Sequence, residues 1–111
     1  MKKLLLVTAL LCGGAQAQQF STYLSGQELL RRLTGPDANL MMAYGYIAGV
    51  HDARAGTAMC IPPNIVTLGQ MADMVRQTLE RAPSERHLPA DIFVEATLSY
   101  RWPCAKRGAG V

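Results

Sequence analysis

Charge and aromatic rings are both scarce in this sequence. Charged residues make up 17% of its 111 residues, the net charge is only +3, and no run of Lys or Arg is longer than a pair such as Arg31-Arg32. Binding along a phosphate backbone needs a cationic track, so nucleic acid is excluded as a partner. Phe, Tyr and Trp together contribute 6%, and β-branched residues are few beside Ala, Leu and Met. That balance disfavours sheet and favours helix. No apolar run reaches the ~20 residues needed to cross a bilayer as a helix. No glycine-rich phosphate loop and no Ser–His–Asp pattern occurs, and two histidines with three cysteines at irregular spacing match no metal-ligand signature. Catalysis, cofactors and metals are therefore not expected.

The features that are present begin with an export signal. Met1-Lys2-Lys3 is a short positive region, Leu4 to Leu11 is apolar apart from Thr8, and Ala15-Gln16-Ala17 is a small-residue cleavage site before Gln18. Residues 1–17 thus read as a signal peptide, too short in its apolar part to be a membrane anchor. Cys12 lies inside it behind the bulky Leu11, which disfavours lipoprotein processing. Its removal takes Lys2 and Lys3 away and leaves nine basic against eight acidic residues on a mature chain of 94. One domain with one modest core is expected, in the periplasm and with no membrane contact after cleavage.

Two cysteines remain, Cys60 and Cys104, an even pair in an oxidising compartment. A bridge between them would contribute roughly 3–4 kcal/mol by restricting the unfolded chain. The fold expected is all-α, a small bundle of about four helices stapled by this one disulfide. Ser25-x-x-Glu28 opens the first helix as a capping box, and Gly35-Pro36 stops it. Asp37 starts a longer helix to about Ala55, with Leu40, Tyr44, Ile47 and Val50 or His51 on one face and Gly56 as a left-handed cap. Thr67-x-x-Gln70 opens a third helix to Ala82, with Leu68, Met71, Val75 and Leu79 inward and Asp73, Arg76, Glu80 and Arg81 outward. Pro89 begins a fourth, whose inner side is expected to be Ile92, Phe93, Ala96 and Tyr100. Residues 18–104 form the domain, and 105–111 form a tail with nothing to bury.

Gly45-x-x-x-Gly49 interrupts good helix formers at a cost of up to about 1 kcal/mol per glycine. Close backbone packing is the compensation expected, either within the chain or at a dimer seam. The methionines at helical spacing read as core rather than as a binding groove. His51-Asp52 are adjacent on a helix and point about 100° apart, which argues against an aligned acid–base dyad.

The strings Gly45-Tyr46-Ile47-Ala48-Gly49-Val50-His51-Asp52-Ala53, Cys60-Ile61-Pro62-Pro63-Asn64-Ile65-Val66-Thr67-Leu68-Gly69-Gln70, Arg86-His87-Leu88-Pro89-Ala90 and Trp102-Pro103-Cys104 succeed one another in an order that resembles the Rap/Tai family of immunity proteins. The resemblance spans about Gln27 to Cys104. It implies a small helical periplasmic protein, working as a homodimer, that inhibits a peptidoglycan amidase effector delivered by type VI secretion. Many members look as though they carry a second cysteine pair, at positions that here read Leu33 (or Thr34) and Ala43, so the first helix has one staple fewer. A protein that inhibits by occupancy needs a contact surface. The candidates are the polar loop Ser84, Glu85, Arg86 and His87, expected to protrude between Pro83 and Pro89 with Arg86 facing solvent, and the outer face of the third helix with Arg76 and Glu80. The alternative is a small periplasmic chaperone or stress-response protein without a toxin partner.

Overall fold

The computed structural model describes residues 23–105. The proposed signal peptide, its cleavage site, Cys12 and nearly all of the tail lie outside them. Within this span the chain forms four α-helices, α1 (Gly26–Leu33), α2 (Asp37–Arg54), α3 (Leu68–Glu80) and α4 (Ala90–Arg101), with one 3₁₀ turn at Pro83–Glu85. Each helix packs against the other three. Their inner faces meet in one core: Leu29, Leu30 and Leu33 from α1, Ala43 and Ile47 from α2, Ala72, Val75 and Leu79 from α3, and Phe93, Val94 and Leu98 from α4. Met59, on the loop after α2, is fully buried among them, so that loop is held by its own apolar anchor.

The helix starts reflect the local chemistry. Thr67 makes the full capping box, its Oγ1 accepting from Gln70 N–H at 3.1 Å while Gln70 Oε1 accepts from Thr67 N–H at 2.8 Å. Ser25 caps α1 by accepting from Glu28 N–H. Glu28 does not reciprocate; its carboxylate pairs instead with Arg31 and Arg32 one turn on, so only half of the expected box forms. Gly56 has φ +90° and turns the chain after α2. From there the loop reaches the end of α4, where Cys60 N–H donates to Trp102 O at 2.9 Å and Cys60 is bonded to Cys104 with Cα atoms 4.9 Å apart. The staple ties the exit of α2 to the exit of α4.

The structure corrects two expectations. Helix α3 ends at Glu80 rather than Ala82, because Arg81 caps it and Ala82 leaves the helical region. The inner side of α4 is Ala90, Phe93, Val94 and Leu98; of the expected stripe only Phe93 is inside, while Ile92 is 47% exposed, Tyr100 is 89% exposed and Ala96 is exposed. Ile92, Phe93 and Val94 are consecutive, so α4 has two apolar stripes to offer. Phe93 is common to both, and the burial of Val94 and Leu98 beside it marks the second as the one that the bundle uses.

Candidate partner-binding surface

The outer face of α3 carries its charges as a closed set. Arg76 Nη1 donates to both carboxylate oxygens of Glu80 at 2.9 and 3.0 Å, and Arg76 Nη2 donates to Asp73, whose other oxygen accepts from Gln77 at 2.9 Å. The spacings i, i+3 and i, i+4 bring these side chains together on one strip of helix. Hydrogen bonds from Arg76 and then Gln77 hold the Asp73 carboxyl below the usual carboxylate range, and the bonds of Arg76 to Asp73 and Glu80 push its guanidinium up. Arg76 and Glu80 are therefore each other's partners before any protein arrives.

The Ser84–His87 segment is pinned rather than protruding. After the 3₁₀ turn its backbone lies along the start of α1: Gln27 N–H donates to Arg86 O at 2.7 Å, Gly26 N–H to Leu88 O at 2.8 Å, and Ala90 N–H to Leu24 O at 2.9 Å. Helix N-termini leave orphan donors, and here a neighbouring loop supplies their acceptors. Ser84, Glu85 and His87 are exposed as expected. Arg86 is not simply solvent-facing: it is half-buried, and its Nε is covered without a hydrogen-bond partner. Its stem packs while its carbonyl serves α1, so a substitution there acts on the fold as well as on the surface.

The glycine face of α2 also differs from the expectation of close packing within the chain. A Cβ built at Gly45 or Gly49 meets nothing within 4 Å. Both glycines are exposed, on a strip with the exposed Met41, Met42 and Ala53, beside a shallow depression that includes Tyr46 and Asp91. Burial, and secondarily the charge of Asp91, raise the Tyr46 phenol above its ordinary pKa. The methionines divide accordingly: Met59 is core, whereas Met41 and Met42 are 64% and 58% exposed. At the end of the helix His51 and Asp52 do touch, Nδ1 to Oδ1 at 3.0 Å, with the carboxylate out in solvent.

One feature lies where the sequence pointed least. A groove of about 360 Å³ runs between α3 and α4, with Met74, Ala96 and Tyr100 as its apolar surface and Arg81 and Arg101 on its rim. Tyr100 and Ala96 line it because α4 is turned away from the expected face. The sequence held a signal for the arginines: neither Arg81 nor Arg101 has a carboxylate three or four residues before it on its helix, whereas Arg31, Arg32 and Arg76 do. Among the described residues no group of three or more potential metal ligands gathers, and no helix is long and apolar enough to cross a membrane.

Comparison with known proteins gives one family. The family model described as Rap1a immunity proteins matches residues 25–104, from the cap of α1 to the second cysteine. No curated protein matches the chain.

Proposed function

The chain belongs to the Rap1a immunity protein family, and from that premise we propose that it is a periplasmic inhibitor of a peptidoglycan amidase delivered by type VI secretion. The observation that carries this reading is the extent of the match: residues 25–104 take in all four helices and both bonded cysteines, so the whole folded unit is the immunity domain. In this reading the protein covers the cleft of the enzyme and performs no reaction. A disulfide between Cys60 and Cys104 suits an oxidising compartment, and cleavage after Ala17 would deliver the domain there. The open strip of α2 around Gly45 and Gly49, where a Cβ would meet no neighbouring atom within 4 Å, suits pairing of two copies, because small residues let two helices approach closely about a two-fold axis.

The test is inhibition in a defined system. The chain from Gln18 onward is titrated into purified amidases encoded beside its gene, and hydrolysis of peptidoglycan is measured. One of them should lose its activity at near-stoichiometric ratio, and the full-length chain should rescue cells that export that amidase to the periplasm. Hydrolysis that continues at full rate in excess chain, for every such amidase, overturns the reading.

A further inference from the structure

The arginines of this domain divide into two groups. Among the described residues, Arg31 and Arg32 pair with Glu28, Arg76 with Asp73 and Glu80, and Arg54 with Glu95 across to α4. Arg81, Arg86 and Arg101 have no carboxylate within ion-pair distance among these residues, which include all eight Asp and Glu side chains of the chain. Two of the three, Arg81 and Arg101, stand on the rim of the α3–α4 groove, whose lining contains no acidic residue. Neither is placed there loosely. Arg81 is the C-cap of α3, and Arg101 lies over the Trp102 ring at 5.3 Å from its centroid, an arrangement that orients a guanidinium without neutralising it.

The groove's shape sets what fits it. Helices α3 and α4 run antiparallel, with Thr78 and Thr97 joined across the floor by their hydroxyls at 2.8 Å. In that register Arg101 lies level with Met74, seven residues along α3 from Arg81. At 1.5 Å per helical residue the backbones that carry the two arginines are offset by about 10 Å along the groove. A polyproline II segment repeats every three residues at about 3.1 Å per residue, so carboxylates three positions apart lie on one side of it, about 9 Å from each other, and would meet one arginine each. Between them, Met74, Ala96 and the 89% exposed Tyr100 offer an apolar bed, the mixture of aromatic, Met and Arg that concentrates in protein interfaces.

We propose that the groove between α3 and α4 is the docking site for an acidic segment of the partner protein, with two carboxylates three residues apart held by Arg81 and Arg101 and an apolar side chain seated between them. In making that partner the effector, the inference rests on the immunity reading above. It relocates the main contact from the outer face of α3, where Arg76 is already occupied, to the side where positive charge is unspent.

Two arms keep this inference separable from that reading. In the first, the ¹⁵N-labelled chain is titrated with the tetrapeptide acetyl-Glu-Leu-Ala-Glu-amide, with its Gln-for-Glu analogue, and with inorganic phosphate. The acidic peptide should shift the amides of Thr78, Arg81, Thr97 and Arg101, and should do so more strongly than the other two. Shifts dispersed elsewhere, equal shifts with the Gln analogue, or phosphate matching the peptide would each overturn the docking site. In the second arm, Arg81→Glu and Arg101→Glu are measured against the inhibited amidase, with Arg31→Glu as a control for overall charge. Each groove variant should weaken binding by about tenfold or more while the control stays near wild type, all three keeping wild-type helicity by circular dichroism. Groove variants that bind as the control does would overturn the proposal and leave immunity standing. Peptide binding in the groove without inhibition of any amidase would support the groove and sink the immunity reading.

Discussion

Gly26 and the pair Gly45–Gly49 are all helical glycines, and their surroundings are opposite. A Cβ at Gly26 would lie 2.7 Å from Phe93 Cε2 and 3.1 Å from Leu79 Cδ2, both on buried side chains of α3 and α4. At Gly45 and Gly49 it would meet nothing within 4 Å. The glycine that permits the bundle to close is thus the inconspicuous one at the start of α1, next to the backbone clasp with residues 86–90. The conspicuous Gly-x-x-x-Gly is a surface feature. One side of the domain is sealed by close approach and the other is left open, and a packing motif read from spacing alone does not reveal which side it serves.

The largest expected effect comes from the covalent link at the exit of α4, the end of that helix away from the Gly26 clasp. Cys60→Ala removes a crosslink between residues 44 apart in sequence and should lower stability by roughly 3–4 kcal/mol, read as the urea midpoint at unchanged slope. Its regional signature sharpens the contrast. Hydrogen exchange should quicken first in residues 55–67 and at Trp102, where Cys60 N–H donates to Trp102 O. The amides of Gly26 and Gln27 should keep their protection until global unfolding. Equal loss of protection at both places would mean that the two ends are not separately held.

The sealed side is tested next. Gly26→Ala sets a methyl against the Phe93 ring, which is only 6% exposed and has little room to swing away. Overpacking of this kind costs about 1–3 kcal/mol, offset in part by the gain in helix propensity of alanine over glycine. The midpoint of thermal or urea unfolding should fall. An increase would show that the ring yields freely and that the contact does not constrain the fold.

Why some of this was legible in the sequence and some not depends on where each signal resides. Caps are local chemistry, so Ser25, Thr67 and Gly56 marked their boundaries correctly. Cysteine parity is arithmetic, and it gave the Cys60–Cys104 bond. The inner face of α4 is a tertiary choice between two apolar stripes, and no local feature of Ile92-Phe93-Val94 decides it. The clasp between α1 and residues 86–90 is made by backbone groups, which leave no side-chain pattern. For that reason a loop of polar residues between two prolines reads as a projection, and Arg86 as a solvent-facing side chain. The family motifs identified the domain but not its working surface. The proposed docking groove rests on which arginines lack carboxylates, and although the sequence hints at this for Arg81 and Arg101, their meeting on one groove depends on the packing of α3 on α4.

The smallest effect is also the one that separates two uses of the open side. Gly45→Ala and Gly49→Ala place a methyl in free space, remove backbone freedom from the unfolded chain and raise helix propensity. Each should therefore stabilise the monomer, by about 0.4–1 kcal/mol. If two copies pair across this strip of α2, the same methyl stands between the helices and holds their backbones apart. The substitution then has opposite signs in the two states: a higher unfolding midpoint at low protein concentration, and a weaker dimer by sedimentation at high concentration. Glycines that serve nothing would give the first effect without the second, and the homodimer would have to be sought on another face. A fall in the monomer's midpoint would instead contradict the open surroundings of both glycines, and with them the contrast to Gly26.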